Sequence, residues 1–186
     1  MPLNNLPTVM EQPSRYVVIG GGKTGIDAIV WLLENHVDPD QIHWVRPREA
    51  WLMRRETTQP DAQFFEATMG AQASQMEAIA AADSIDDLFL RLESAGIFTR
   101  IDPDLEPTMF HGATISDPEL TELRRVKNVI RKGRIQRIET DQITFEQGTM
   151  PNDANTLFVD CSAAAVANME ETDVFQGDTI RLQTVR

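Results

Sequence analysis

The residues best equipped for chemistry lie close together near the start of the chain, in Gly20-Gly21-Gly22-Lys23-Thr24-Gly25. The spacing Gly20-x-Gly22-x-x-Gly25 gives each glycine a physical task. Gly20 permits a tight turn, Gly22 has no Cβ to block a pyrophosphate, and Gly25 allows a helix to pack closely on a strand. A helix beginning here would point free N–H groups and the positive end of its dipole at phosphate oxygens. Thr24 adds a hydroxyl donor, and Lys23 adds a charge if it turns toward the site. Gly21 completes the turn. Some twenty residues on, Arg46 and Arg48 stand where many nucleotide sites place Asp or Glu to accept hydrogen bonds from a ribose 2′-hydroxyl. A carboxylate there repels a 2′-phosphate; guanidinium groups bind one through paired, charge-assisted hydrogen bonds. The arginines therefore favour NADP over NAD, and disfavour FAD at this site. Trp51 could stack on an adenine, although an aromatic residue beside a strand is more often core.

The surrounding pattern supplies the elements that would position these groups. Tyr16-Val17-Val18-Ile19 is uniformly apolar, as in a central parallel strand buried on both faces. Ile26, Ile29, Val30 and Leu33 fall on one face of a helix, which is expected to stop near His36-Val37-Asp38-Pro39. Ile42 to Val45 reads as a second strand. Strand, glycine turn, helix and strand is the layout of a dinucleotide-binding βαβ unit.

Residues 57–125 read as a largely helical insertion. Ala67 to Ala82 is rich in alanine and methionine, Ser84 with Asp87 opens another helix, and Gly96 suits its C-terminal end. Ser116-Asp117-Pro118-Glu119 is a capping box for a short helix through Leu120 and Leu123. Ile97 to Thr114 shows little pattern. Val126 to Ile130, Arg134 to Ile138 and Ile143 to Phe145 read as an antiparallel meander, and Thr156 to Asp160 as a last strand ending at Cys161. Thr179 to Val185 is a further extended candidate. The expected class is α/β: a Rossmann-like three-layer NAD(P)-binding domain with a parallel sheet, an antiparallel meander and the helical insertion.

Other chemistries find little support. A net charge of −12 argues against a general nucleic-acid or anionic-membrane binder. Against that background, Trp44 to Arg55 carries four arginines and one glutamate. A phosphate pocket needs such a local inversion, although Arg54 and Arg55 are expected to pair with the acidic insertion. The single cysteine, Cys161, excludes an internal disulfide; it reads as a small packed residue near a ligand site. His36, His43 and His111 lack metal-ligand spacing, so no metal is expected. There is no Cys-x-x-Cys, no Gly-x-Ser-x-Gly elbow, and no Tyr-x-x-x-Lys pair. With no membrane-length apolar run and no signal-peptide core, a cytoplasmic location is expected.

Val17 to Ala28, followed by His43-Trp44-Val45-Arg46-Pro47-Arg48, resembles the NADP-binding domain of flavin-containing-monooxygenase-like oxidoreductases. These belong to the flavoproteins with two dinucleotide-binding domains, in which the NAD(P) domain is inserted within the FAD domain. The resemblance covers Arg15 to Arg55 and returns over Val126 to Ala165. It implies that Gly20, Gly22, Thr24 and Gly25 hold the pyrophosphate of NADPH, and that Arg46 and Arg48 hold its 2′-phosphate. Cys161-Ser162-Ala163 stands where the family has Ala-Thr-Gly. Only one glycine fingerprint is present, so FAD would belong to a domain in cis or in a partner chain. On this reading residues 15–165 form the NAD(P)-binding domain, and 1–14 and 166–186 are connecting arms. No catalytic residue is assigned, and the chain alone would not be a complete catalyst. Two alternatives come from other classes: a non-catalytic NAD(P)-binding or sensor module, and a methyltransferase, against which Arg46 argues.

Overall fold

The computed structural model describes residues 1–163 and 172–181. Four strands form a parallel sheet in the order β10-β1-β2-β6: β1 is Arg15–Ile19, β2 Ile42–Val45, β6 Asn128–Ile130 and β10 Thr156–Asp160. Their register aligns Val159, Val18, Trp44 and Val129 in one row. Side chains alternate across a sheet, so this row shares one face. That face packs on helix α1 (Lys23–Glu34) and on α4 (Asp117–Leu123), through Ile26, Ile29, Leu32, Leu120 and Leu123. Val17 and Val45 point the other way, against Ile143 and Phe145. Those two belong to an antiparallel meander of β7 (Ile135–Ile138), β8 (Gln142–Phe145) and β9 (Gly148–Pro151). Helices, parallel sheet and meander are the three layers of a Rossmann-like α/β fold.

A second sheet, ordered β4-β3-β5, branches off immediately after β2. Its strands are β3 (Ala50–Arg54), β4 (Phe98–Thr99) and β5 (Met109–Ile115). Helices α2 (Phe65–Ala81) and α3 (Ile85–Ser94) cover it, and its core joins Trp51, Ala71, Ala78, Leu92, Ile97 and Phe98. Segment 57–125 thus contains three helices and also two strands, β4 and β5.

Several local expectations are met by atoms. Ser116 and Glu119 form the full capping box. Ser84 accepts from the Asp87 N–H, and Gly96 takes a left-handed φ of 71° after α3. Other readings change. Residues 126–130 do not join the meander: Asn128–Ile130 pairs in parallel with β2. The third meander strand is β9 instead. Helix α1 stops at Glu34, before the proline, because His36 adopts φ 63°. The N–H groups of His36 and Val37 then reach back to the carbonyls of Leu33 and Leu32, a Schellman closure without glycine. Residues 1–14, read as a connecting arm, are mostly exposed but dock beside β10 at their start. A 3-10 turn at Leu3–Thr8 buries Leu6 completely, and the Asp160 N–H donates to the Met1 carbonyl at 2.8 Å. Of the tail candidate Thr179 to Val185, Thr179–Ile180 forms β12 of a hairpin with β11 (Phe175–Gln176); residues 182–185 lie outside the described residues, as does the 165/166 domain boundary. Among the described residues no helix is long and apolar enough to cross a membrane.

Candidate functional site

The glycine loop sits at the carboxyl end of β1, between β10 and β2. Gly20 has φ 129°, a region that L side chains avoid, and a Cβ there would lie 2.5 Å from the Cys161 carbonyl oxygen. Gly25 is equally constrained: its Cβ would stand 2.2 Å from the Gly20 carbonyl oxygen, so only glycine lets α1 approach the strand. Gly22 differs. It is the N-cap of α1, no side chain caps the helix, and nothing lies within 4 Å of where its Cβ would be. The packed glycines thus hold the turn, and the open one leaves the first N–H groups of the helix approachable. Thr24, in the same first turn, is exposed.

The two side chains that pin this loop come from β2 and the residue after it. The indole N–H of Trp44 donates to the Gly20 carbonyl at 2.8 Å. Arg46, only 2% exposed, lays its guanidinium carbon 4.3 Å above the Trp44 ring. Its Cγ would be 2.8 Å from a Cβ on Gly21, so the arginine stem runs directly beneath the loop. One guanidinium nitrogen meets Glu49 at 3.1 Å, while Nε and Nη1 have no hydrogen-bond partner. Burial, only partly offset by Glu49, lowers the Arg46 pKa to about 10.

The remaining candidates are held elsewhere. The Lys23 ammonium pairs with Asp27 at 2.6 Å and Glu119 at 3.3 Å. Arg48 is exposed and donates to the Thr108 carbonyl and hydroxyl, at 2.8 and 3.2 Å. The structure therefore brings Gly20, Gly21, Gly22, Gly25 and Arg46 together but leaves Lys23 and Arg48 with other partners. Trp51 is core, stacked on Phe89 with centroids 5.4 Å apart, and has no face for an adenine. Arg54 and Arg55 pair with Asp117 and Glu119. Burial, with Asp160 and Asp27 nearby, pushes the Cys161 thiol up to about 11, which keeps it protonated. Among the described residues no three His, Cys, Asp or Glu side chains gather as a metal site.

Two site residues escape sequence reasoning. Glu49 is 8% exposed and bridges Arg46 and Arg131, the residue just after β6. Its spacing from Arg46 was a weak local signal; Arg131 had none, because parallel pairing of β6 with β2 brings it there.

No protein-family model matches the chain. It is 43% identical over 183 residues to an uncharacterized protein of Mycobacterium bovis, and equally to uncharacterized proteins of two Mycobacterium tuberculosis strains. Each alignment covers 98% of this chain and 34% of the relative, so the chain spans about a third of the length of these relatives. A weak structural neighbour is L-lysine 6-monooxygenase from Pseudomonas syringae, with a TM-score of 0.36 and 14% identity, covering 86% of this chain and 38% of that one.

Proposed function

We propose that the chain binds NADPH as the reductant-binding part of an FAD-dependent oxidoreductase of the monooxygenase type. The observation that carries the reading is the contact of Arg46 with the glycine loop. The stem of Arg46 runs under the glycine turn, and its desolvated guanidinium, with two unpartnered nitrogens, lies over the Trp44 ring beside it. Leaving buried donors unsatisfied costs free energy, and a phosphate supplies the missing acceptors. In this assignment the N–H groups at the start of α1 and the Thr24 hydroxyl hold the pyrophosphate. Gly22 keeps the approach clear, and Arg46 takes the 2′-phosphate. When bound, NADPH supplies a hydride for a flavin. The chain has one glycine fingerprint and matches a third of its relatives' length, so the FAD would sit in the remaining part of such a longer protein, or in a partner chain. Helix α2 turns Phe65, Met69, Met76 and Ile79 outward, an apolar stripe of the kind a neighbouring domain covers.

Titration with NADPH and NADH, for wild type and Arg46→Ala, tests the reading. Wild type should prefer NADPH. The variant should lose roughly ten- to a hundredfold in NADPH affinity, about 1.5–3 kcal/mol, with NADH binding little changed. Equal wild-type affinity for the two nucleotides would overturn the assignment.

A further inference from the structure

Arg46 forms part of the wall of a cavity of about 330 Å³ between β6 and α4, which Trp44, Asp102, Arg124, Lys127 and Arg131 also line. The wall carries four cations, Arg46, Arg124, Lys127 and Arg131, against two carboxylates, Asp102 and Asp104, in a protein of net charge −12. Two of the cations converge on one carboxylate. Glu49 accepts from Arg131 Nε at 2.8 Å through one oxygen and meets Arg46 Nη2 at 3.1 Å through the other. Arg131 also donates to Asp102 at 2.9 Å. Two guanidinium groups around a pair of anionic oxygens are the same arrangement that recognises a phosphate monoester.

We infer that Glu49 is the resident occupant of a 2′-phosphate pocket made by Arg46 and Arg131, and that a 2′-phosphorylated nucleotide binds by displacing its carboxylate. The inference rests on the NADPH reading of the glycine loop and adds a second phosphate ligand and a selectivity-setting residue. The exchange follows from charge. A carboxylate carries one negative charge, while a phosphate monoester carries nearly two at neutral pH and has three acceptor oxygens. The phosphate can use Arg46 Nε and Nη1, which Glu49 leaves without partners. Glu49 cannot stay beside it, because like charges in a buried site repel strongly. An unphosphorylated ribose has no charge with which to displace the carboxylate, so Glu49 also keeps the arginines from offering a general anion trap.

Adenosine 2′,5′-bisphosphate and adenosine 5′-monophosphate differ only by the 2′-phosphate, and calorimetric titration of each into the full 186-residue chain isolates that group. Glu49→Gln should tighten the bisphosphate roughly tenfold, and Arg131→Met should weaken it roughly tenfold, with the monophosphate unchanged in both. In the wild type, the Nε–H resonances of both Arg46 and Arg131 should shift with the bisphosphate and stay in place with the monophosphate, a readout that needs no variant to fold. If Glu49→Gln weakens or leaves unchanged the bisphosphate, or if the Arg131 resonance stays in place, the exchange is refuted while the NADPH reading stands. A wild type that binds both nucleotides alike, or neither, refutes the NADPH reading itself and the exchange with it.

Discussion

Trp44 holds Gly20 by a single hydrogen bond, indole N–H to carbonyl oxygen at 2.8 Å, from the strand next to the one the glycine ends. Gly20 is the residue with φ 129°, so the least probable backbone conformation in the loop is fixed by a side chain across the sheet. Trp44→Phe keeps an aromatic ring in the core but removes the donor. It should lower unfolding free energy by about 1–3 kcal/mol, measured by urea titration, through the lost hydrogen bond and the smaller ring. A variant as stable as the wild type would show that the bond contributes nothing net.

The glycines should separate into structural and functional ones. Gly25→Ala would place a Cβ 2.2 Å from the Gly20 carbonyl, a backbone atom with no room to yield. Its expected cost is about 1–3 kcal/mol in stability, from forced displacement of α1. Gly22→Ala meets nothing within 4 Å, so its melting temperature should match the wild type while NADPH affinity falls. A Gly22→Ala chain that binds NADPH as tightly as the wild type would remove the pyrophosphate from this loop.

Glu119 makes stability depend on pH. Burial alone would raise its pKa; the Ser116 N–H and hydroxyl, Lys23 and Arg55 outweigh that and bring it to about 2. A carboxyl whose folded pKa is depressed adds stability above its unfolded pKa and loses it as pH falls toward the folded one. Glu119 should therefore contribute at neutral pH and progressively less below about pH 4.5. Glu119→Gln should cost up to on the order of 2–3 kcal/mol at pH 7 and much less near pH 2.5, read from paired urea titrations. A cost independent of pH would assign the effect to shape rather than charge.

What was legible in the sequence is what depends on neighbours along the chain. The glycine turn, the amphipathic face of α1 and the Ser116–Glu119 box all follow from spacings of a few residues. The first parallel strand announces itself because burial on both faces demands an unbroken apolar run, and the last is marked by Leu157-Phe158-Val159. Asn128–Ile130 has only three residues, and its partner is more than eighty positions away, so nothing local distinguishes a parallel strand from one arm of a meander. Met109–Ile115 buries only Ile115 and is interrupted by Gly112 at φ 70°, which erases the alternation that marks a strand. Leu6 looks isolated in sequence and is buried because its turn docks beside β10. In the site, Arg46 was found by position alone. Its burial, and the bridge from Glu49 to Arg131, arise from tertiary pairing.

The link between β2 and β3 is four residues long, Arg46 to Glu49, and its two ends are the arginine under the loop and the glutamate that faces it. Fully extended, four residues reach no more than about 14 Å. The link does not run extended: it bends at Pro47 and Arg48, which lets Arg46 and Glu49 meet at 3.1 Å. An inserted or deleted residue at this bend would change how the two side chains meet, while β3 stays held by its pairing with β4 and β5 and by the stack of Trp51 on Phe89. The distance between the buried arginine and its glutamate is thus set by the length of one short bend, so the two side chains are spaced by the backbone rather than by their own reach.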